Sequence, residues 1–526
     1  MRISRRGMLG GIGSAGVSFG FTGFPAGAEQ PRSAGKETPK NIIFCVVDGM
    51  AAAALTMADY LQQLTLGKHS YWHDLMNAED IVLGMQETRS LNSVVTDSAA
   101  ASSAWGCGRR IWNGQINMFP DGTELRPIAS IVQEAGMRTG LVTTTTITHA
   151  TPAGFAVNCV QRDLEALIAE KYLKSGVEVL MGGGAKAFSP ELRKDKRDLY
   201  ADFAKAGFAV AKTRSELMRT APKGKVLGIF NDSHMPYTVD HVNDAMLWET
   251  RPTLAEMTAH AIRNLSNSPK GFLLQIEGGR VDHGGHADDL AALVYDQIAF
   301  EEAVKVAVDF ARRDGNTLVI VTADHATGGP ALNGAGDEYS DSTAGLLHLK
   351  NMKCSYGPLV EAIGANPSAA KVRDTVTEKL GITLTNEEAD ALVQTLGGKS
   401  PFALSEFYSG AFATMGVILG NHTKVTWTSL NHTADHVVVA ALGPGKDMFR
   451  GITPNYQFFS KMLAAREISF QNPPQMDLEK ARPFYDKLKV GLLANPDLFE
   501  QYALHDDECP GMDHVAAMKP RLASVR

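Results

Sequence analysis

The sequence predicts an α/β fold with a large, mostly parallel central sheet and helices on both faces. Short apolar runs of strand length recur along the chain, and polar residues and glycine follow each of them: NIIFCVVDGM, MRTGLVTTTTITHATP, VEVLMGGGAKAF, KGFLLQIEGGRVDH and NTLVIVTADHATGG. Helical segments such as DDLAALVYDQIAFEEAVKVAVDFARRDG alternate with these runs. Continuous apolar strands that alternate with helices are typical of a parallel sheet covered on both sides.

The N-terminus is expected to be an export signal rather than part of this fold. Arg5 and Arg6 precede an uncharged, glycine-rich apolar stretch that ends in small residues at Ala26 and Ala28. This layout is typical of a signal peptide covering residues 1–28, and the paired arginines indicate the twin-arginine route. The stretch is short and interrupted by glycine, which disfavours a membrane helix. We expect a periplasmic or secreted protein without a stable membrane anchor.

The rest of the chain is divided according to where strand-like runs alternate with helical segments. Residues 29–40 are expected to form a linker, and 41–329 together with 425–470 the α/β core. This alternation lapses over 330–424, which we interpret as an inserted cap, crown-like or interface subdomain. Residues 471–526 are predicted to be a peripheral helical segment.

Charge argues against nucleic acid as a partner. The chain carries 51 basic and 58 acidic residues, and loss of residues 1–28 removes three arginines, which takes the formal net charge from −7 to −10. Such a balance disfavours binding to nucleic acid or to an anionic membrane. An anionic substrate would need local attraction, which a bound metal ion can supply.

The five cysteines leave at least one thiol unpaired. Cys45, Cys107 and Cys159 fit small buried residues, whereas Cys354 and Cys509 could form a disulfide. The sequence contains no CxxC motif of the zinc or redox type. LMGGGAKAF, residues 180–188, lacks the GxxxxGK[ST] pattern of a phosphate loop and is expected to be a tight turn after a strand.

Carboxylates and imidazoles cluster after the strand-like or apolar runs. Such positions lie at the carboxyl edge of an open α/β sheet, where ligands bind. Each histidine alone is more often structural, and the segment IEGGRVDHGGHADD could be only a polar turn before a helix. Several clusters together predict a metal centre with Zn²⁺ and Mg²⁺ or Mn²⁺, because oxygen and imidazole ligands occur without thiolate. The residues are Asp48, His149, Glu277, Asp282, His286, Asp324, His325, His432 and, if strand alternation places it on the same face, His436.

The stretch NSVVTDSAAASSAWGCG places Asp97 and Ser98 at a predicted strand-to-helix turn. One interpretation is a simple helix N-cap, because Asp and Ser oxygens accept the free N–H groups of a first turn. The other is a nucleophile, since a serine hydroxyl beside metal ions can be activated. No GxSxG motif surrounds Ser98, which disfavours a hydrolase triad.

With the other clusters, VVTDSAAASSAWGCG closely resembles the signature of the alkaline phosphatases, and the resemblance recurs in order over roughly residues 40–460. It implies that Ser98 is phosphorylated and then hydrolysed. It also implies three metal sites, made by Asp282, His286 and His432 for one zinc ion, by Asp48, Asp324 and His325 for a second, and by Asp48, Thr151 and Glu277 for magnesium.

The same resemblance identifies Arg162 as the phosphate-clamping arginine. We also expect Asp97 to support the turn by bonding this arginine. A planar guanidinium can hold two phosphate oxygens, which favours monoesters over diesters. His149 and His283 stand where some bacterial members carry Asp and Lys, which leaves the identity of the third metal open.

The function implied is metal-dependent hydrolysis of small phosphate monoesters by a homodimer, in two displacements with release of inorganic phosphate. A phosphodiesterase or a sulfatase of the same fold is the nearest alternative. A metal-dependent phosphate-binding protein without catalysis is an alternative from another class.

Overall fold

Strand β1, Asn41–Val47, lies at the centre of the fold, and all seven of its residues are buried. It belongs to a computed structural model that describes residues 38–399, 405, 407–408, 410–495, 497 and 501–504. The predicted signal peptide and Cys509 lie outside the described residues. Within this part of the chain, no helix combines the length and apolarity needed to cross a membrane.

Ten strands form one sheet, in the order β14-β2-β13-β8-β1-β7-β3-β4-β6-β5. All neighbours in it are parallel except β13, which runs antiparallel to both β2 and β8. The described strands are β1, β2 (Ile81–Glu87), β3 (Arg138–Thr146), β4 (Val179–Gly183), β5 (Phe208–Ala211), β6 (Lys225–Ile229), β7 (Phe272–Gly278), β8 (Thr317–Ala323), β9 (Ala326–Thr327), β10 (Ala331–Leu332), β11 (Val425–Thr426), β12 (His432–Thr433), β13 (Val437–Leu442) and β14 (Gly451–Pro454).

Helices cover both faces of this sheet. Along β1 the side chains alternate, with Ile43 and Cys45 in one hydrophobic cluster and Ile42 and Phe44 in the other. The described helices are α1 (Ala52–Leu66), α2 (Tyr71–Met76), α3 (Ser98–Cys107), α4 (Ile128–Glu134), α5 (Ala150–Ala156), α6 (Glu165–Tyr172), α7 (Leu199–Lys205), α8 (Arg214–Arg219), α9 (Thr238–Asn243), α10 (Ala245–Thr250), α11 (Leu254–Leu265), α12 (Arg280–His286), α13 (Leu290–Asp314), α14 (Ser340–Leu346), α15 (Tyr356–Ile363), α16 (Ala369–Leu380), α17 (Asn386–Leu396), α18 (Ala411–Thr423), α19 (Gln457–Ala465) and α20 (Leu478–Leu493). The predicted fold class is therefore confirmed.

The strand order brings four carboxyl ends together. β8, β1, β7 and β3 are consecutive neighbours and all run parallel. Asp48 follows β1, Glu277 lies near the end of β7, and Asp324 follows β8. The polar clusters that the sequence separates by up to 276 residues thus meet at one edge of the sheet.

The segment 330–424 is largely helical in its described part and contains α14 to α18. Its two ends meet, because Ala331–Leu332 pairs antiparallel with Val425–Thr426. The segment is also tied to the core where α12 leads into α13, since the backbone N–H of Tyr356 donates to Asp289 Oδ2 at 2.7 Å.

The described cysteines are buried, and the glycine run 182–184 leads into a turn at the end of β4. Cys45, Cys107 and Cys159 are buried thiols; Cys354 is buried as well, and its predicted partner Cys509 lies beyond the described residues. In the glycine run, Gly184 has a φ of 105° and begins a short 3₁₀ turn directly after β4. The run forms the tight turn that the sequence predicts.

A close approach of α3 and α5 yields a stability prediction. A Cβ on Gly106 would lie 1.9 Å from the carbonyl oxygen of Gly154, so the backbones of the two helices would have to separate. We expect Gly106→Ala to destabilise the fold by about 1–3 kcal/mol. Gly357→Ala is the control, since its Cβ would meet nothing within 4 Å in α15, and we expect it to be neutral or slightly stabilising. Thermal unfolding of both variants checks this, and equal melting temperatures would contradict it.

Candidate active site

Asp282, His286 and His432 converge on one point at the sheet edge. Asp282 and His286 lie one turn apart on α12, and His432 begins β12. His286 Nε2 lies 3.3 Å from Asp282 Oδ2, and His432 Nε2 lies 3.6 Å from Asp282 Oδ1. The two Nε2 atoms are 3.0 Å apart.

Carbonyl oxygens fix the orientation of these two imidazoles. His286 Nδ1 lies 2.5 Å from the carbonyl oxygen of Leu430, and His432 Nδ1 lies 2.8 Å from that of Thr96. A carbonyl oxygen only accepts hydrogen bonds, so each Nδ1 carries a proton and, in the neutral ring, each Nε2 presents a lone pair. Two facing lone pairs repel unless a proton or a metal ion lies between them, and such orientation by the other ring nitrogen is typical of metal-ligating histidines.

Asp48, Asp324 and His325 form a second group, and Ser98 contacts it. His325 Nε2 lies 3.1 Å from Asp324 Oδ2 and 3.5 Å from Asp48 Oδ1. The Ser98 hydroxyl lies 3.3 Å from His325 Nε2 and 3.5 Å from Asp48 Oδ1. All four side chains are completely buried. The rings of His325 and His432 stack at 3.6 Å, so the second group adjoins the first.

A third group shares Asp48. Thr151 Oγ1 donates to Asp48 Oδ2 at 3.2 Å, and His149 Nδ1 lies 4.0 Å from Asp48 Oδ2 and 3.9 Å from Glu277 Oε1. Thr145 Oγ1 donates to Glu277 Oε2 at 3.3 Å. Ligand atoms of Asp48, His149 and Glu277 lie within 4.8 Å of one another, which is compatible with a shared ion.

Asp97 caps α3 and also holds Arg162. Its Oδ1 accepts from the backbone N–H of Ala100 at 2.9 Å, which is the predicted N-cap contact. Its Oδ2 accepts from the N–H of Gly114 at 2.9 Å and from Arg162 Nη1 at 3.3 Å. Arg162 Nη2 lies 2.8 Å from His149 Nε2. The cap and the arginine contact therefore coexist, and they present Ser98 as the first residue of the helix.

The site is strongly anionic and buried. Asp48, Glu277, Asp282 and Asp324 are each 0% exposed. Burial raises the pKa of the Asp48 carboxyl well above its usual range, and the neighbouring carboxylates raise it further. Burial also raises the pKa of Glu277 to about 7. Buried carboxylates at this density need compensating positive charge.

The imidazoles supply only part of that charge. Burial alone would raise the pKa of Asp282, but His286, His432 and His325 outweigh it and lower the pKa well below its usual range. Burial lowers the pKa of His432, so this ring favours its neutral, ligand-ready form. Oxygen and neutral imidazole ligands in this arrangement fit Zn²⁺ and, where oxygens dominate, Mg²⁺.

His283 lies beside the third group rather than within it. It is buried on α12, with Nδ1 2.5 Å from Arg280 Nη1. Its ring meets His234 at 4.4 Å and His149 at 5.8 Å, both edge to face. His436 is exposed and lines a different cavity of about 450 Å³ together with Met50 and Thr433. The structure does not bring His436 to the carboxylates.

Several residues that contact the site are not among those predicted from the sequence. Thr143 and Thr145 both bond Glu277, and Thr327 bonds Asp282. His234 accepts from the backbone N–H of Thr146 through Nδ1 at 3.0 Å. The alternation of threonines at the end of β3 could have indicated the first two, whereas His234 arrives from a loop with no local signal.

Known proteins match this chain over most of its length. The alkaline phosphatase family model matches residues 39–468. Alkaline phosphatase 3 of Bacillus subtilis is 29% identical over 456 residues, which cover 85% of this chain and 93% of the relative. The crystal structure of Thermus thermophilus alkaline phosphatase has a TM-score of 0.81 and 34% identity, and the match covers 86% of this chain and 96% of that one.

A third relative bears on the metal content. Alkaline phosphatase of the Antarctic bacterium TAB5 was solved as a His-to-Asp mutant with Mg bound in the M3 site. It is 25% identical, has a TM-score of 0.59, and the match covers 82% of this chain and 99% of that one. Family, structure and metal-capable residue groups agree: this chain belongs to the alkaline phosphatase family and catalyses metal-dependent hydrolysis of phosphate monoesters.

Proposed function

We propose that Ser98 is the nucleophile of this reaction. The observation that carries the proposal is the position of its hydroxyl, 3.3 Å from His325 Nε2 and 3.5 Å from Asp48 Oδ1 at the N-terminus of α3. Ser98 Oγ forms a bond to phosphorus while the bond to the leaving alcohol breaks, and water then cleaves the phosphoserine. The helix N-terminus directs free N–H groups toward the anionic phosphoryl group.

Three residue groups are proposed to hold the metal ions. When bound, these ions would activate the serine hydroxyl and the attacking water and would stabilise charge on the phosphoryl oxygens. The groups are Asp282, His286 and His432 for one zinc ion, Asp48, Asp324 and His325 for a second, and Asp48, Thr151 and Glu277 for magnesium.

Arg162 is proposed to bind the phosphoryl group. Asp97 and His149 hold its guanidinium from two sides, at 3.3 Å and 2.8 Å. Burial tends to lower the pKa of Arg162, but the carboxylates of Asp97, Asp163 and Asp48 together outweigh it, so the pKa is raised and the cation is retained. A fixed fork of N–H donors can bind two of the non-bridging oxygens of a monoester, and a diester has one such oxygen fewer.

His149 and His283 are proposed to tune the third site. His149 Nδ1 faces both carboxylates of this site, and His283 contacts His149 through its ring. Imidazole nitrogen in place of carboxylate oxygen weakens the preference for Mg²⁺ relative to Zn²⁺.

Export and dimerisation are also proposed. The paired Arg5 and Arg6 support export to the periplasm or the medium by the twin-arginine route. An uncovered apolar face at the β14 edge supports a homodimer, because Leu83, Met85 and Ile452 are 40%, 39% and 64% exposed there.

The substrate class is tested by comparing an aryl phosphate monoester, a diester and a sulfate on the purified protein with zinc and magnesium present. We expect kcat/KM for the monoester to exceed the other two. A preference for the diester or for the sulfate would favour the alternative enzymes, and phosphate binding without turnover would favour a binding protein.

Replacement of the nucleophile gives the most direct prediction. Ser98→Ala removes the oxygen that bonds phosphorus, so labelled substrate should leave no phosphoserine, and kcat should fall at least about a thousandfold. Ser103→Ala is a matched control in α3, since the Ser103 hydroxyl accepts from the backbone N–H of Asn117 and contacts none of the proposed metal ligands. Acid-stable label on the Ser98→Ala protein would overturn the assignment.

Arg162 variants separate charge from geometry. Arg162→Lys keeps a cation but loses the fork, so we expect KM for the monoester to rise about tenfold or more while the diester rate changes little. Arg162→Ala should show a larger loss in the same direction. Steady-state kinetics on both substrates measure the ratio, and equal losses for monoester and diester would contradict the clamp.

The identity of the metal at the third site can be tested by replacing the nitrogen donor of His149 with an oxygen donor. His149→Asp replaces a nitrogen by an oxygen, so we expect the ratio of bound magnesium to zinc to rise. The Mg-bound His-to-Asp mutant of the TAB5 enzyme supports this direction. Elemental analysis after dialysis against both metals measures the ratio, with Gly357→Ala, which lies outside all three groups, as control. An unchanged ratio would count against the role of His149.

A further inference from the structure

The C-terminal segment 472–493 packs against the loop that follows α3. It lies beyond residues 39–468, the part that the family model matches. Asn472 Nδ2 donates to the carbonyl oxygen of Cys107 at 2.9 Å. Gln475 exchanges two hydrogen bonds with the backbone of Arg110, at 2.8 Å and 2.9 Å. The segment is thus anchored to the far end of the helix that begins with Ser98.

Helix α20 then presents one face to the protein. Ala481, Tyr485, Leu488 and Leu492 recur at helical spacing and are buried or half-buried. Phe484, beside this face of the same helix, is 48% exposed, and Val490 on the opposite side is 64% exposed.

Tyr485 makes an aromatic contact with Trp112. The two rings stack with centroids 4.3 Å apart and an interplanar angle of 19°. Trp112 is buried, so the stack closes over it. Burial raises the pKa of the Tyr485 phenol, and the Asp97 carboxylate contributes to this rise. That contribution indicates that Tyr485 lies within electrostatic reach of the phosphate-binding residues.

The residues after Trp112 hold the phosphate clamp. Asn113 Oδ1 accepts from the backbone N–H of Asp97 at 3.2 Å. The N–H of Gly114 donates to Asp97 Oδ2 at 2.9 Å, and its carbonyl oxygen accepts from the N–H of Arg162 at 2.8 Å. Asp97 is therefore bonded to both residues that follow Trp112, and Arg162 is bonded to the second of them, Gly114.

We propose that Tyr485 is a positioning residue: through its stack on Trp112 it fixes loop 112–114 and thereby the orientation of the Asp97–Arg162 pair toward phosphate. This inference rests on the proposed role of Arg162 in binding the phosphoryl group. It assigns to the C-terminal helix a part in the affinity for phosphate monoesters and for the product, inorganic phosphate. Tyr485 acts on the reaction only through the loop.

The first test measures phosphate affinity in Tyr485 variants of the full chain. We expect Tyr485→Ala to raise KM for an aryl phosphate and Ki for inorganic phosphate about two- to tenfold, with kcat at saturation nearly unchanged. Tyr485→Phe keeps the stack and should restore both constants. Phe484→Ala, which changes the neighbouring half-exposed aromatic of α20, is the matched control and should leave them unchanged.

A double-mutant cycle separates positioning from general damage. If Tyr485 acts through Arg162, Tyr485→Ala should change Ki for inorganic phosphate little once Arg162 is alanine. An equal factor in both backgrounds would overturn the inference, as would a loss in Phe484→Ala of the same size as in Tyr485→Ala. Trp112→Phe, which keeps an aromatic ring under Tyr485, should resemble the parent protein, and thermal unfolding reports whether each variant folds.

The same cycle distinguishes this inference from the proposal on which it rests. If Arg162→Ala leaves Ki for inorganic phosphate unchanged, the clamp fails and this inference falls with it. If Arg162→Ala weakens phosphate binding while Tyr485→Ala does not, only the role of Tyr485 is overturned.

Discussion

The architecture of this protein depends on the neutralisation of four carboxylates that are buried at one edge of its sheet. Asp48 is the centre of this set, since it contacts Ser98, His325 and Thr151. Strand β1, which ends just before Asp48, has a parallel neighbour on each side and helices over both faces. Anionic side chains are stable in such a position only with cations beside them. The stability of the sheet edge and the binding of metal ions therefore depend on the same carboxylates.

The same constraint explains why much of the site was predictable from the sequence. Asp48, Glu277 and Asp324 stand at the ends of runs too apolar to be anything but interior strands, and parallel strands bring such ends together. The positions of Asp97 and Ser98 at a helix start could also be predicted, because the N-cap and first turn of a helix have their own residue preferences. Ligand roles beyond this came from resemblance to the family.

Other features left no local pattern. His432 lies before β13 rather than after a strand of the large sheet, because β13 runs antiparallel to β8 and begins where β8 ends. The contact between Trp112 and Tyr485 joins segments separated by about 370 residues, and no periodicity in either segment encodes it. His436, four residues from a proposed ligand, does not share its face, because β12 ends at Thr433 and the strand alternation does not continue through residues 434–436. Such outcomes depend on tertiary packing.

The ribbon made by β10 and β11 has a consequence for how this protein can diverge. It joins the two ends of segment 330–424 side by side, between His325 and His432. The ends of the whole segment are therefore as close together as the ends of a single turn, so the sheet is unaffected by the length of chain between them. A piece of chain with adjacent ends can grow, shrink or be exchanged at modest cost in chain entropy, without displacing the residues on either side. Evolution can thus remodel segment 330–424 while the reaction centre stays fixed.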